Sequence, residues 1–309
     1  MNPQKSKTAI SIAIFVVFAV LIEKYIGWMS ILAPWKQLSM LTIAGAMLLV
    51  FGSYIMRAFR IYYFYLRHYP VRVSACIKLT LLHNFYNNLL PMRSGELAFP
   101  ILMSRYFAIP VDKSVPGLLW FRLLDLHSLG MVALVSLLTL TMGIGPAALI
   151  TLPFWVIPLL MFAWSGRLLK NLDSQSSSRI SRLLFKLLHG LPTDSRQFWH
   201  SWFWTLANWA VKLAAFTWIF TLFVEASPSQ SVLGIIGGEL TSVLPIHGVA
   251  GLGTYEAGIV AAMLPFGLEP KALLSGAVNL HLFLLSVTLI IGLTAILLPL
   301  SKNQITENV

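Results

Sequence analysis

The chain has 309 residues, of which 57% are hydrophobic and only 11% are Asp, Glu, Lys or Arg, with a mean hydropathy of +0.78. Ordinary soluble domains carry about 25% charged residues, so this composition excludes a cytosolic enzyme or a secreted module and describes a polytopic membrane protein. The 22 basic residues outnumber the 11 acidic ones, for a formal charge of +11. In a membrane protein that surplus reports loops held against anionic headgroups rather than nucleic acid.

Met1–Lys7 is polar, and an apolar run from Thr8 to Ile22 follows it. No small-residue cleavage pattern comes next, so the run is expected to be retained as a first helix reaching about Trp28. A second span is expected from Leu38 to about Met56, ending in the aromatic cluster Tyr62, Tyr63, Phe64 and Tyr65. Further runs of near 20 apolar residues, the length of a bilayer crossing, are Pro116–Met142, Pro146–Trp164, Trp199–Val224 and Ala272–Leu298.

Two stretches differ. Ser74–Leu90 carries His83, Asn84, Asn87 and Asn88, breaks at Pro91, and resumes as the short segment Leu97–Ile109. Ser231–Leu244 breaks at Pro245 among several glycines and resumes at Thr254–Phe266. Paired short helices around a Pro/Gly break read as re-entrant hairpins, here 74–109 and 231–268. The two also share a pattern: Leu90-Pro91 with Ser94-Gly95-Glu96 and then Pro110, against Leu244-Pro245 with Thr254-Tyr255-Glu256 and then Pro270. The expected fold class is therefore all-α, a single integral membrane domain over 1–309 with about six full transmembrane helices and two re-entrant helical hairpins in an inverted repeat. The repeats would cover 38–142 and 199–298. Segment 165–197 is expected on the cytoplasmic side, its part Arg179–His189 forming a basic amphipathic helix on the inner leaflet.

The basic residues orient this model. With the N-terminus inside, the inside segments hold sixteen: Lys5, Lys7, Arg57, Arg60, Arg67, Arg72, Lys78, Arg105, Lys113, Arg167, Lys170, Arg179, Arg182, Lys186, Arg196 and Lys302. Lys24, Lys36 and Lys271 fall outside, while Arg93, Arg122 and Lys212 stay within the membrane. That asymmetry predicts that both termini are cytoplasmic, and the expected location is the plasma (inner) membrane.

Charges kept inside a bilayer cost a few kcal/mol or more unless paired or hydrated, so they point to function. In the first hairpin, Ser94 can cap a short helix, Gly95 and Glu96 lie in its first turn, and Arg93 adds positive potential. Such a terminus offers donors to an anion such as a lipid phosphate. In the second, Gly251 and Gly253 allow sharp turning before Thr254 and Glu256. Glu256 suits a proton or cation carrier, a headgroup contact, or a simple dipole partner. Arg122 and Asp125 share a helix face, so Asp125 is expected to pair structurally while Arg122 also serves a phosphate. Lys212 and Glu239 are expected to neutralise each other. His83, His127, His247 and His281 lack metal-ligand spacing; no metal and no cofactor is expected. Protease, hydrolase-elbow and metal-phosphate signatures are missing, so an enzyme is not expected.

The residues Asn87–Glu96 (NNLLPMRSGE), Ser104-Arg105, Ile109-Pro110 and Phe121–Leu126 (FRLLDL) resemble the flippase-like transmembrane family. That family includes the membrane region of lysylphosphatidylglycerol synthases and small stand-alone members of the YbhN type. The resemblance returns at Leu244-Pro245, Gly251-Leu252-Gly253 and Tyr255-Glu256-Ala257-Gly258, and so spans most of the chain. Met92, Phe99-Pro100 and Phe121 depart from the family's common residues. The resemblance implies movement of a polar, anionic or modified lipid, or of a lipid-linked headgroup, across the bilayer. Synthesis of lysyl lipid is not expected, since nothing here matches the synthases' soluble domain. Membrane lipids are thus the expected partners, with a homo-oligomer and a lipid-modifying enzyme as further candidates. The alternative reading is a non-transporting accessory protein that scaffolds a lipid-modifying or glycan-assembly enzyme.

Overall fold

A computed structural model describes residues 3–90, 95–170, 190–241 and 249–297, with side chains described from Ile12 onward apart from 165–170. Among the described residues every regular element is a helix. They are α1 (Pro3–Tyr25), α2 (Trp28–Leu32), α3 (Met40–Tyr65), α4 (Val73–Leu89), α5 (Ala98–Phe107), α6 (Val111–Met142), α7 (Ile144–Trp155), α8 (Ile157–Lys170), α9 (Ser195–Thr221), α10 (Pro228–Thr241), α11 (Thr254–Met263) and α12 (Pro270–Leu297). Helices are what hydrocarbon demands, because each then satisfies its own backbone groups.

Among the described residues, five stretches are long and apolar enough to cross a membrane: Met40–Tyr65, Val111–Met142, Ile144–Trp164, Val249–Phe266 and Pro270–Leu297. A sixth arises if Ile12–Tyr25 and Trp28–Gln37, bent by 84°, form one broken span. This is a multi-pass membrane protein, and its details differ from the sequence expectation at three places. The first helix stops at Tyr25 instead of reaching Trp28, because Gly27 takes φ 85° and turns the chain. Trp28 then closes the corner, its backbone N–H donating to Glu23 Oε2 at 3.0 Å and its indole N–H to the Ala19 carbonyl at 3.3 Å.

The second helix runs on past Met56 to Tyr65, carrying Arg57 and Arg60 with it. Both are buried, so they are not the cytoplasmic loop residues of the orientation count. Without them the expected count becomes fourteen to three. Thirdly, α9 is not among the candidate spans, since Asn208 and Lys212 interrupt its apolar run, whereas Val249–Phe266, expected as half a hairpin, is among them.

The chain divides into two compact units. One comprises Met1–Gly52, Leu81–Glu96 and Ala210–Leu297; the other holds Ser53–Thr80 and Leu97–Trp209 among its described residues. In the first, α10 and α11 are the most closely packed helices. Glycine makes that possible: a Cβ on Gly237 would lie 2.5 Å from the Gly258 carbonyl oxygen, and one on Gly258 would lie 2.6 Å from that of Gly237. Without a hydrophobic drive between helices in lipid, such close backbone approach supplies the packing energy. The basic segment Arg179–His189 lies outside the described residues.

Candidate functional site

In the second unit, α3, α6 and α9 gather an unusual amount of charge for a membrane helix cluster. Arg57 and Arg60 stand one turn apart on α3, as do Arg122 and Asp125 on α6. Arg60 Nη1 donates to Asp125 Oδ1 at 2.7 Å and to Thr205 Oγ1, on α9, at 2.9 Å. The Trp209 indole N–H, also on α9, donates to the same Asp125 oxygen at 3.0 Å. Arg122 Nη1 reaches Asp125 Oδ2 at 3.4 Å. The Arg60 guanidinium lies over the Phe121 ring at 4.6 Å, where the ring face favours a cation. Arg57 is buried within electrostatic reach of Asp125, Arg60 and Arg122.

Asp125 pairs with Arg60 and, at the longer distance, with Arg122 of its own helix, and Arg57 lies within electrostatic reach. Among the described residues, three guanidiniums stand near one carboxylate, a net positive charge that suits a second anion. Arg122 is the member best placed to meet one, since 28% of its side chain is exposed against 4% for Arg60. Asn208 adds a further polar group. It follows Thr205 by three positions on α9, hence on nearly the same face, is 1% exposed, and neither its amide nitrogen nor its oxygen has a hydrogen-bond partner.

In the first unit, Glu256 is fully buried in the first turn of α11. Its Oε2 accepts the Gly253 backbone N–H at 2.8 Å, and its Oε1 lies 2.7 Å from His281 Nδ1 of α12. Gly253 (φ 88°) and Gly251 (φ 80°) hold the preceding turn in a conformation that suits glycine. Thr254 Oγ1 donates back to the Gly251 carbonyl at 3.0 Å, and Tyr255 packs its ring against His281 at 4.6 Å. In the same unit Lys212 Nζ donates to Glu239 Oε2 at 2.8 Å, both side chains being about nine-tenths buried.

Ahead of α5, Gly95 packs against the Asn87 backbone, where any Cβ would collide. Glu96 Oε2 then comes to 3.8 Å from His83 Nε2 of α4. Arg93 and Ser94 lie outside the described residues, as does His247.

The structure thus joins Gly251, Gly253, Thr254 and Glu256 in one turn, sets Glu96 against His83, and sets Arg122 against Asp125. It adds Arg57, Arg60, Asn208, Trp209 and His281, none of which is singled out by the sequence as a site residue. A signal for the arginines exists: they sit one turn apart, with no acidic residue on their own helix. Asn208 gives none, because a lone Asn in an apolar run looks the same whether partnered or not.

The sequence matches the family model described as "Lysylphosphatidylglycerol synthase TM region" over residues 8–292. Comparison with curated proteins and with solved structures returns no match. With its apolar helices and buried charges already placed, and a match that runs through nearly the whole sequence, the chain belongs to the lysylphosphatidylglycerol synthase transmembrane-region family.

Proposed function

We propose that this protein moves a lipid with an anionic headgroup between the leaflets of the inner membrane, without converting it chemically. One observation carries the reading: Arg60 and Arg122 pair with Asp125, and Arg57 is buried within electrostatic reach of it, among membrane helices. Such charge is expensive in a bilayer, where intramembrane ionisable groups mark substrate paths. Arginine rather than lysine suits the task, because its planar fork matches phosphate geometry. Arg122 contacts the headgroup phosphate, Arg60 is held by Asp125 and Thr205, and Asn208 hydrogen-bonds the polar atoms beside the phosphate. The lipid tails stay in the hydrocarbon. Family membership supports a lipid as the ligand, and the basic asymmetry supports cytoplasmic termini.

The test is reconstitution of the purified chain into vesicles containing a fluorescent phosphatidylglycerol that dithionite quenches from outside. The expected result is rapid quenching of the inner-leaflet pool, slowed by Arg122→Gln. Quenching no faster than in protein-free vesicles would sink the translocation reading and favour an accessory role beside a lipid-modifying enzyme. A change in lipid mass on incubation would instead show an enzyme.

A further inference from the structure

We infer that the Glu256–His281 pair is a proton-binding site and that lipid movement is coupled to its proton; the coupling rests on the translocation reading above, the proton site does not. Among the described residues of the first unit, two carboxylate pairs have both side chains about nine-tenths buried or more, and they differ in the cation. Glu239 faces Lys212 at 2.8 Å, a cation that stays charged across the physiological range. Glu256 faces His281 at 2.7 Å, and histidine is the one side chain whose ordinary pKa, about 6.5, lets it discharge there. The side chains of Glu256 and His281 are 0% and 3% exposed, so water cannot compensate a change of charge.

With a proton on the pair, whether as carboxylate and imidazolium or as acid and imidazole, its net charge is zero. Without the proton, a neutral imidazole donates to a carboxylate and the site carries one uncompensated negative charge. The α11 N-terminus and the Gly253 N–H offset part of that cost, and among the described residues the helices packed on Glu256 bring no further cation to it. From α10 the facing titratable group is Glu239, already held by Lys212. From α12 it is His281 itself. Tyr255, on the same turn as Glu256, has its hydroxyl buried with no hydrogen-bond partner. From α1, Ile14 and Phe18 are the side chains that stand against Gly253. Loss of the proton therefore favours any arrangement that brings solvent or a cation to the pair.

The element able to respond is next door. Ala250, Gly251 and Gly253 all take positive φ, and the Gly253 N–H is tied directly to Glu256. A proton placed on Oε2 weakens that oxygen as the acceptor of this N–H, so the protonation state and the turn geometry are linked through one hydrogen bond.

Two measurements test this on the full chain. Infrared difference spectra in detergent between pH 5 and pH 8 are expected to show a buried carboxylic or imidazole signal. It should vanish in both Glu256→Gln and His281→Gln and persist in Glu239→Gln. Identical spectra for wild type and both pair variants overturn the proton site, whatever the chain does to lipids. In vesicles with a pH difference of one unit, one proton per lipid drives the fluorescent phosphatidylglycerol to a leaflet ratio approaching tenfold. Movement of the lipid to equal leaflets under that gradient overturns the coupling. No movement at any pH overturns the translocation reading and the coupling together, leaving the spectra to decide the proton site. The wild-type arms keep the test decisive should the variants misfold.

Discussion

Arg60 and Asp125 stand 65 positions apart in the sequence, yet their side chains meet at 2.7 Å with 4% and 6% of their surfaces exposed. In hydrocarbon neither charge could stay where it is without the other, and removing one partner of a buried pair costs about 3–5 kcal/mol. Asp125→Asn is expected to destabilise the protein by that order, because it strands Arg60 and its neighbours Arg57 and Arg122 together. The double variant Asp125→Asn with Arg60→Gln should lose less than the sum of the two single changes. Thermal melting in detergent reads both.

Arg122 has a different expected profile. Asp125 keeps Arg60 and Trp209 when Arg122 is lost, so stability should fall by no more than about 1 kcal/mol, as for a partly exposed pair. Transport of the labelled phosphatidylglycerol should fall roughly tenfold, a loss of about 1.4 kcal/mol of binding in the rate-limiting state. Arg122→Lys should recover only part of it, since a point charge cannot make the bidentate contact. A variant that melts early and transports normally contradicts the assignment.

Asn208 offers a test in which stability and activity move in opposite directions. Its amide is buried with no hydrogen-bond partner, and such a group costs about 1–3 kcal/mol. Asn208→Leu should raise the melting temperature and slow lipid movement. If both fall together, Asn208 is only a packing residue.

The α10–α11 contact depends on missing side chains. At Gly258 an added Cβ would meet Thr241 Cγ2 at 2.5 Å as well as the Gly237 carbonyl. Gly258→Val should cost about 1–3 kcal/mol by overpacking, whereas the same change at Gly52, which has open space around it, should leave the melting curve within about 0.5 kcal/mol of wild type.

Outside the membrane helices, Asp194 precedes α9 and accepts the Gln197 backbone N–H at 2.9 Å and Arg67 Nη1 at 2.7 Å. Partial desolvation pushes its pKa up, but these hydrogen bonds and the Arg67 charge outweigh it and hold the carboxyl below its ordinary value. Its stabilising contribution is thus complete above about pH 3.9, the usual aspartate value, and is lost as pH falls through the depressed folded value. Asp194→Ala should cost about 1 kcal/mol at neutral pH, as for other helix caps, and the gap to wild type should close in strong acid. Melting curves from pH 6 downward check this.

Much of this architecture is written in single residues. Hydropathy and the basic asymmetry determine an all-helical, multi-pass chain, because transfer into hydrocarbon is roughly additive along a helix and needs no knowledge of partners. The turn before Glu256 is local as well: glycines, a threonine and a glutamate three residues after Gly253 suffice to build it. What the tertiary structure decided is which charge meets which. Arg57 and Arg60 look like interface residues because hydropathy averages over a whole turn, and it cannot see that Asp125, Thr205 and Trp209 arrive from two other helices to bury them. His281 looks like an ordinary interior histidine until α12 packs it on Glu256. In a bilayer a charge's cost depends on its nearest partner, and partners so far apart along the chain are set only when the helices pack.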